Sequence, residues 1–191
     1  MRNIAIFASG SGSNAENIAR YFASSNLVKV AAVLSDNPNA GVHKRVNDLG
    51  IPSFTFSKEE FADATPVISK LAGYGVSFIV LAGFMDKIPE TLIDAFPASI
   101  INIHPALLPK FGGQGMYGMH VHRTVIEAGE AESGITIHYI NKEYDKGPII
   151  FQASCRVSYA DTPETLAARI HVLEHVHYPR IIEELLRPLT D

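Results

Sequence analysis

Residues 98–105, ASIINIHP, decide the fold of this chain. The isoleucine-rich run is typical of a buried β-strand, and Pro105 ends it because proline cannot donate to a sheet ladder. Alternate side chains of a strand share a face, so Asn102 and His104 project together from its last pleat. The pattern predicts an amide beside a titratable imidazole at the carboxyl end of a strand, where open α/β sheets bind ligands.

Short apolar runs alternate with longer amphipathic segments before this strand, which is typical of βαβ units around a parallel sheet. We expect strands over residues 3–8, 28–34, 52–56 and 76–82. We expect helices over residues 14–23, 41–49 and 58–71.

The segments after the central strand predict a change of strand direction. A helix near residues 121–128 leads to strands over 135–140 and 149–157, which a turn at 144–148 joins as antiparallel neighbours. A last helix is expected from about 163 to 186, opened by a proline. The fold class is therefore α/β: an open, mostly parallel, twisted sheet flanked by helices, Rossmann-like, with an antiparallel carboxyl-terminal extension.

Composition places the chain among single-domain globular proteins. Its 191 residues are enough for one well-buried core, and we expect a single domain over 1–191. Hydrophobic residues make up 47% of the sequence and charged residues 19%, an ordinary globular balance that argues against intrinsic disorder. A net charge of −4 provides no electrostatic footprint for nucleic acid or an anionic membrane.

Cysteine content and the amino terminus point to the cytoplasm. Cys155 is the only cysteine, so an internal disulfide framework and a cysteine-rich zinc site are both excluded, as expected for a reducing compartment. The first apolar run is too short for a signal sequence or a membrane span. We expect a cytoplasmic protein without a membrane partner.

A glycine-rich loop, residues 10–15 (GSGSNA), follows the first strand and opens a helix. Backbone amides approach an anion closely in such a loop, and the helix N-terminus adds partial positive charge, so a phosphate is favoured. The loop also reads as a variant of the dinucleotide fingerprint, with Asp36 where the ribose-binding acid belongs. A third interpretation is a tight turn in which Ser13 or Asn14 caps the helix.

Asn102 and His104 together favour a catalytic role. An amide and an imidazole can both donate to an oxygen on which negative charge develops, as acyl transfer requires. For either residue alone, a buried side chain bonded to the backbone explains the sequence as well. Asp145 lies in a turn that needs no catalytic explanation, but this turn leaves the sheet near the Asn102 strand. A carboxylate there would raise the pKa of His104 and keep the ring able to donate.

Two further features have competing explanations. The histidine pairs His120/His122 and His171/His175 lack a His-Glu-x-x-His order or a cysteine cluster, so we expect no metal. The glycine-rich stretch 112–118 is either a lid over a ligand or a disordered surface connection.

Four motifs taken together resemble the phosphoribosylglycinamide (glycinamide ribonucleotide) formyltransferases over nearly the whole chain. They are GSN at 12–14, LAGFM at 81–85, NIHPALLPK at 102–110, and Asp145 before Gly147-Pro148. The resemblance implies transfer of a formyl group from the co-substrate 10-formyltetrahydrofolate to the amine of 5-phosphoribosylglycinamide, in de novo purine (IMP) biosynthesis. Direct transfer needs no covalent enzyme intermediate and no metal.

The resemblance also implies roles for individual residues. Asn102 and His104 would stabilise the oxyanion, His104 would donate a proton, and Asp145 would set its pKa and help relay the proton through water. The substrate phosphate would lie on Gly12, Ser13 and Asn14, with Glu174 near the ribose. The folate pocket would be lined by Met85, Asp86, Lys87, Ile88, Asn102, Asn141 and Tyr144.

The sequence departs from the family at three places. Asp86 and Glu60 stand at or near positions where relatives often carry arginine, and the stretch 112–118 is longer than in many relatives. The expected partners are small-molecule substrates, with no nucleic acid; the oligomeric state is not fixed by the sequence, and a homodimer is compatible with it. A nucleotide-binding dehydrogenase and a non-catalytic phosphate-binding module remain as alternatives, although both leave Asn102, His104 and Asp145 without a role.

Overall fold

The computed structural model describes residues 1–188, which form one seven-stranded sheet with helices on both faces. The strands are β1 (Arg2–Phe7), β2 (Val28–Ser35), β3 (Ser53–Thr55), β4 (Val76–Leu81), β5 (Ile100–His104), β6 (Glu132–Tyr139) and β7 (Ile149–Arg156). The helices are α1 (Ser13–Tyr21), α2 (Gly41–Asn47), α3 (Lys58–Asp63), α4 (Thr65–Gly73), α5 (Glu90–Ala95), α6 (Met119–Glu127) and α7 (Pro163–Leu186).

Strand order confirms the expected fold class. The sheet runs β3-β2-β1-β4-β5-β6-β7, with β1 to β5 parallel and β6 and β7 added antiparallel to their neighbours. The chain order reverses at β1, which lies between β2 and β4. Such a switch point opens a crevice at the carboxyl ends of the strands, and this is the edge on which β5 ends.

Both faces of the parallel strands are covered, which explains why their sequences are continuously apolar. One buried cluster packs Ile4 and Ile6 of β1 against α1, α2 and α7. The other packs Phe7 against α3, α4 and α5. Within residues 1–188, no helix combines the length and the apolar character needed to cross a membrane.

The region expected as one helix over 58–71 is two helices, so that prediction is wrong. Ala64 adopts a left-handed conformation (φ 64°) between α3 and α4, and Pro66 lies in the first turn of α4. A continuous helix would set the proline ring against the carbonyl of the residue four positions earlier. Glu60 closes the capping box of α3 with Ser57, a local structural role.

Buried hydroxyl groups brace the carboxyl ends of the strands. The Tyr178 hydroxyl on α7 donates to the Leu81 carbonyl at 2.9 Å, which ties the helix to the end of β4. Thr136 of β6 accepts from the Leu108 N–H at 2.9 Å and donates to the Ala106 carbonyl at 2.7 Å. The segment that follows β5 is therefore held on the sheet beside Asn102 and His104.

Candidate active site

Asn102 and His104 lie on one face at the end of β5, as the two-residue period predicts. Their antiparallel partners on β6 are His138 opposite Asn102 and Thr136 opposite His104. His104 is 3% exposed and His138 is fully buried. The pairing therefore brings a second imidazole to the site.

Asp145 approaches both imidazoles, as expected for a turn at this edge of the sheet. One carboxylate oxygen, Oδ2, lies 3.6 Å from His104 Nδ1, and the other, Oδ1, lies 3.5 Å from His138 Nε2. The Gly113 backbone N–H donates to Oδ2 at 2.8 Å. We call Asn102, His104, His138 and Asp145 the polar cluster.

Backbone carbonyls fix protons on both rings of the polar cluster. His104 Nε2 lies 2.7 Å from the Phe111 carbonyl, and a carbonyl only accepts, so Nε2 carries a proton. His138 Nδ1 donates to the Tyr139 carbonyl at 2.9 Å, which leaves its Nε2 facing the Asn102 amide nitrogen at 3.3 Å. The Asn102 amide is oriented by this contact, and its second hydrogen is available for another acceptor.

The net effect of the surroundings on His104 differs from the expected one. Burial lowers the pKa of His104, and the Asp145 carboxylate raises it by less, so the pKa lies below its usual value. The Asp145 carboxylate therefore acts in the expected direction, and the depth of burial, which the sequence did not reveal, outweighs it. Burial raises the pKa of Asp145, but the proximity of the His138 and His104 rings and the hydrogen bond from the Gly113 N–H together bring that pKa below its usual range.

The glycine loop, residues 10–14, lies at the end of β1. Gly12 is the N-cap of α1 in a left-handed conformation (φ 77°), and no side chain caps this helix, so the interpretation in which Ser13 or Asn14 caps it is wrong. Among residues 1–188, the backbone N–H groups of Gly12, Ser13 and Asn14 have no hydrogen-bond acceptor. Together with the helix dipole they form a site for an anion.

The structure brings Asn14 and Glu174 together across 160 residues. Asn14 Nδ2 donates to Glu174 Oε2 at 2.8 Å, and His171 Nδ1 lies 2.9 Å from the same oxygen. Glu174 on α7 is therefore fixed beside the glycine loop.

Most residues expected around the folate lie in two segments, 85–88 after β4 and 141–144 after β6, which we call the two walls. Met85 is 47% exposed, and Asp86 and Lys87 are also exposed, whereas the Ile88 side chain is buried in the core. Lys87 Nζ lies 5.9 Å from the centre of the Tyr144 ring, so the segment after β4 faces the turn after β6. Burial and the charges of Asp86 and Asp145 raise the pKa of Tyr144.

The other wall residue, Asn141, stabilises its own turn. Its side-chain Oδ1 accepts from the Glu143 N–H at 2.9 Å. Asn102 was also expected at the folate. Because Asn102 belongs to the polar cluster, it links this cluster with the residues expected around the folate.

Sequence reasoning missed His138 and the backbone of residues 111–113. A signal for His138 was present, since the run ITIHYI places His138 and Thr136 on one strand face. The beginning of the glycine-rich stretch is tied to the polar cluster, whereas Tyr117 is 54% exposed. Across the described chain, 1–188, no group of three or more His, Cys, Asp or Glu side chains is placed to hold a metal ion.

Comparisons with known proteins identify the family of this chain. The family described as formyl transferase matches residues 2–182. The phosphoribosylglycinamide formyltransferase of Bacillus subtilis (strain 168) is 40% identical over 191 residues, covering 97% of this chain and 95% of that protein. The chloroplastic phosphoribosylglycinamide formyltransferase of Arabidopsis thaliana is 40% identical over 187 residues, and the match spans 95% of this chain and 64% of the relative's length.

A solved structure shares the overall fold. The crystal structure of phosphoribosylglycinamide formyltransferase from Bacillus halodurans has a TM-score of 0.90 and 36% identity, with 99% of this chain and 97% of that chain covered.

Proposed function

This chain belongs to the formyl transferase family, and we propose that it transfers the formyl group of 10-formyltetrahydrofolate to the amine of 5-phosphoribosylglycinamide, a step of de novo purine biosynthesis. The observation that carries the proposal is the polar cluster: an oriented amide, a buried imidazole and a carboxylate within 3.6 Å of it. Such a group can stabilise an oxyanion and move a proton in one place.

The whole chain, residues 1–191, acts as one catalytic domain in this proposal. Residues 189–191 lie outside the described residues. Its ligands are small molecules, with no nucleic acid or membrane partner, and its location is the cytoplasm.

In this proposal the glycine loop binds the substrate phosphate. The free N–H groups of Gly12, Ser13 and Asn14 support it, because three amides at a helix N-terminus match the oxygens of a phosphate. Glu174 binds the ribose hydroxyls. Both of its hydrogen bonds fall on Oε2, so Oε1 is the atom that accepts from the sugar.

The folate lies between the two walls described above. Met85, the backbone of 86–88 and Tyr144 would contact its ring system, with Asn141 at the turn. Asp86 would disfavour an anionic group at its position, so the charged tail of the folate leaves the crevice away from it.

The proposed chemistry begins when the substrate amine attacks the formyl carbon. The forming oxyanion accepts hydrogen bonds from the Asn102 amide and from the His104 Nε2–H, and there it replaces the Phe111 carbonyl as acceptor. This replacement requires residues 111–113 to shift, and in this proposal the glycine-rich stretch 112–118 moves with them as a lid.

Proton transfer completes the step. Because its pKa is lowered, His104 is neutral near pH 7 and takes the proton that the attacking amine loses, directly or through water. Asp145 stabilises the imidazolium that forms. His104 then donates this proton to N10 of the folate as the bond between N10 and the formyl carbon breaks.

The test is a transfer assay with the purified protein, 10-formyl-folate and phosphoribosylglycinamide, in which absorbance follows deformylation of the folate. We expect a signal that depends on the amine, with omission of the amine as the control. Absence of an amine-dependent signal would contradict the proposal, and a signal without the amine would indicate a deformylase. Binding of a nicotinamide cofactor, followed by fluorescence, would instead favour the dehydrogenase.

A further inference from the structure

Arg45 on α2 contacts the back of the glycine loop. Its Nε donates to the Ser11 carbonyl at 2.9 Å, and its Nη1 lies 2.5 Å from Glu16 Oε2. The Val42 N–H, also on α2, donates to the Gly10 carbonyl at 3.2 Å. Two successive carbonyls of the loop are therefore held by α2.

The two contacts from α2 determine where the N–H groups of Ser11 and Gly12 point. In a trans peptide the carbonyl of one residue and the N–H of the next point in opposite directions. Holding the Ser11 carbonyl towards Arg45 directs the Gly12 N–H to the other side of the loop, and holding the Gly10 carbonyl does the same for the Ser11 N–H. Of the three amides that lack an acceptor, that of Gly12 is thus aimed by a contact on the opposite surface.

We propose that Arg45 is a positioning residue for the phosphate of the substrate, acting through the Ser11–Gly12 peptide without touching the ligand. The proposal rests on the proposed function, in which this loop binds the phosphate. Arg45 holds the loop in its binding conformation before the substrate arrives, which removes an ordering cost from binding.

Glu16 holds the guanidinium of Arg45 in place. Its Oε1 accepts from Arg20 Nε at 3.0 Å and from Arg20 Nη2 at 2.8 Å, while Oε2 contacts Arg45. Hydrogen bonds from Arg20 and Arg45 lower the pKa of Glu16, so the carboxylate stays charged. Because this carboxylate offsets much of the positive charge, attraction of the phosphate at a distance is a weaker explanation than alignment of the loop.

The surroundings of Arg45 make the effect local. Its side chain is 46% exposed, and exposed ion pairs contribute little to the free energy of unfolding. Replacing Arg45 should therefore change the loop while the fold stays intact. Lys44 is the matched control, because it lines the same surface groove without contacting the Ser11 carbonyl.

The experiment compares Arg45→Ala, Arg45→Lys and Lys44→Ala by steady-state kinetics. For Arg45→Ala we expect the KM for phosphoribosylglycinamide to rise about 5- to 10-fold, the effect of losing one hydrogen bond of average net strength at a half-exposed position. The kcat, the KM for the folate and the unfolding midpoint should stay near those of the parent. Arg45→Lys should behave like Arg45→Ala because an ammonium cannot contact Ser11 and Glu16 together in the same way. Lys44→Ala should leave every value unchanged.

A ligand series separates alignment from general damage. Binding of ribose 5-phosphate, titrated by calorimetry, should weaken in Arg45→Ala by the same factor, a readout that needs no turnover. A substrate without the phosphate should react equally with the parent and with Arg45→Ala. An unchanged KM in Arg45→Ala, or an equal rise in Lys44→Ala, would overturn the proposal. Lack of transfer by the parent protein would instead contradict the proposed function.

Discussion

The polar cluster and the glycine loop lie at the same edge of the sheet but present different atoms. The cluster offers four side chains that are held together by the hydrogen bond between Asn102 and His138 and by the contacts of Asp145 with both rings. The loop offers backbone N–H groups, and its side chains matter less than its conformation. The cluster therefore depends on residue identity, and the loop depends on backbone geometry.

Burial makes this difference sharper. His138 is fully buried and His104 nearly so, and a buried polar group that loses its partner is costly. Each member of the cluster thus depends on the others. The glycine loop is open on one side, and a left-handed conformation costs glycine little. We infer that replacements in the cluster act on kcat, whereas replacements in the loop act on the KM for the phosphate-bearing substrate.

The largest effect is expected for Asn102→Ala. The amide of Asn102 would bind an oxyanion that exists only in the transition state, so its loss should lower kcat about 10²- to 10³-fold. The KM values of both substrates should change little. A large rise in either KM with an unchanged kcat would show that Asn102 binds the ground state, and the contrast with the loop would then disappear.

Gly12→Ala should disturb the loop through its backbone. A Cβ at this position would lie 2.5 Å from Val42 Cα, in a conformation (φ 77°) that alanine disfavours. We expect the KM for phosphoribosylglycinamide to rise about tenfold and the protein to lose about 1–3 kcal/mol of unfolding free energy.

Gly10→Ala is the control for that prediction. A Cβ at Gly10 would meet no atom within 4 Å, so both the KM and the unfolding free energy should match those of the parent. Denaturant unfolding and steady-state kinetics measure the two effects. Equal behaviour of Gly12→Ala and Gly10→Ala would show that the conformation of the loop does not matter for binding.

Local patterns predicted most of the fold. The apolar runs and turns placed all seven strands, and the turn at 144–148 predicted the antiparallel extension. The split at Ala64 was missed because a smooth helical period hid the signal of Pro66. The helix α5 was missed because its six residues, which follow Pro89, are too few to establish a period.

The site was predictable where it depends on local geometry. The two-residue period of β5 placed Asn102 beside His104, and the turn placed Asp145 near them. His138 could be assigned only with the register between β5 and β6. The pKa of His104 required the depth of burial, which no short pattern contains. The contact between Asn14 and Glu174 depends on the packing of α1 against α7, and only the family resemblance suggested it.

His138→Phe tests whether the cluster acts as a unit. Phenylalanine keeps a ring of similar size but removes the nitrogen that faces the Asn102 amide, so the amide loses its orientation. We expect kcat to fall about tenfold, less than in Asn102→Ala, because the donor remains present. The double variant should be no worse than Asn102→Ala alone. Additive losses would show that His138 acts independently of Asn102.

The smallest effect concerns a histidine between the two regions. His122 on α6 is buried, and its Nδ1 has no hydrogen-bond partner. Burial is the main cause that lowers the pKa of His122; the Glu174 carboxylate raises this pKa by less, and the nearby His104 ring lowers it further. The pKa of His104 is also lowered by burial. In the folded protein both rings therefore bind fewer protons than in the unfolded chain, where the pKa of a histidine is 6.5.

The direction of the pH effect follows from this difference. Stability contributed by these neutral rings is complete above pH 6.5 and is lost as the pH falls from 6.5 through the folded pKa values. His122→Phe removes one of the two titrating groups. Its unfolding free energy should therefore fall less than that of the parent between about pH 8 and about pH 5.5, as measured by denaturant titration. His120→Phe, an exposed change two residues earlier on the same helix, should retain the pH dependence of the parent. If His122→Phe lost stability with acid as steeply as the parent, the loss would come from the polar cluster alone, and the region between cluster and loop would have no part in it.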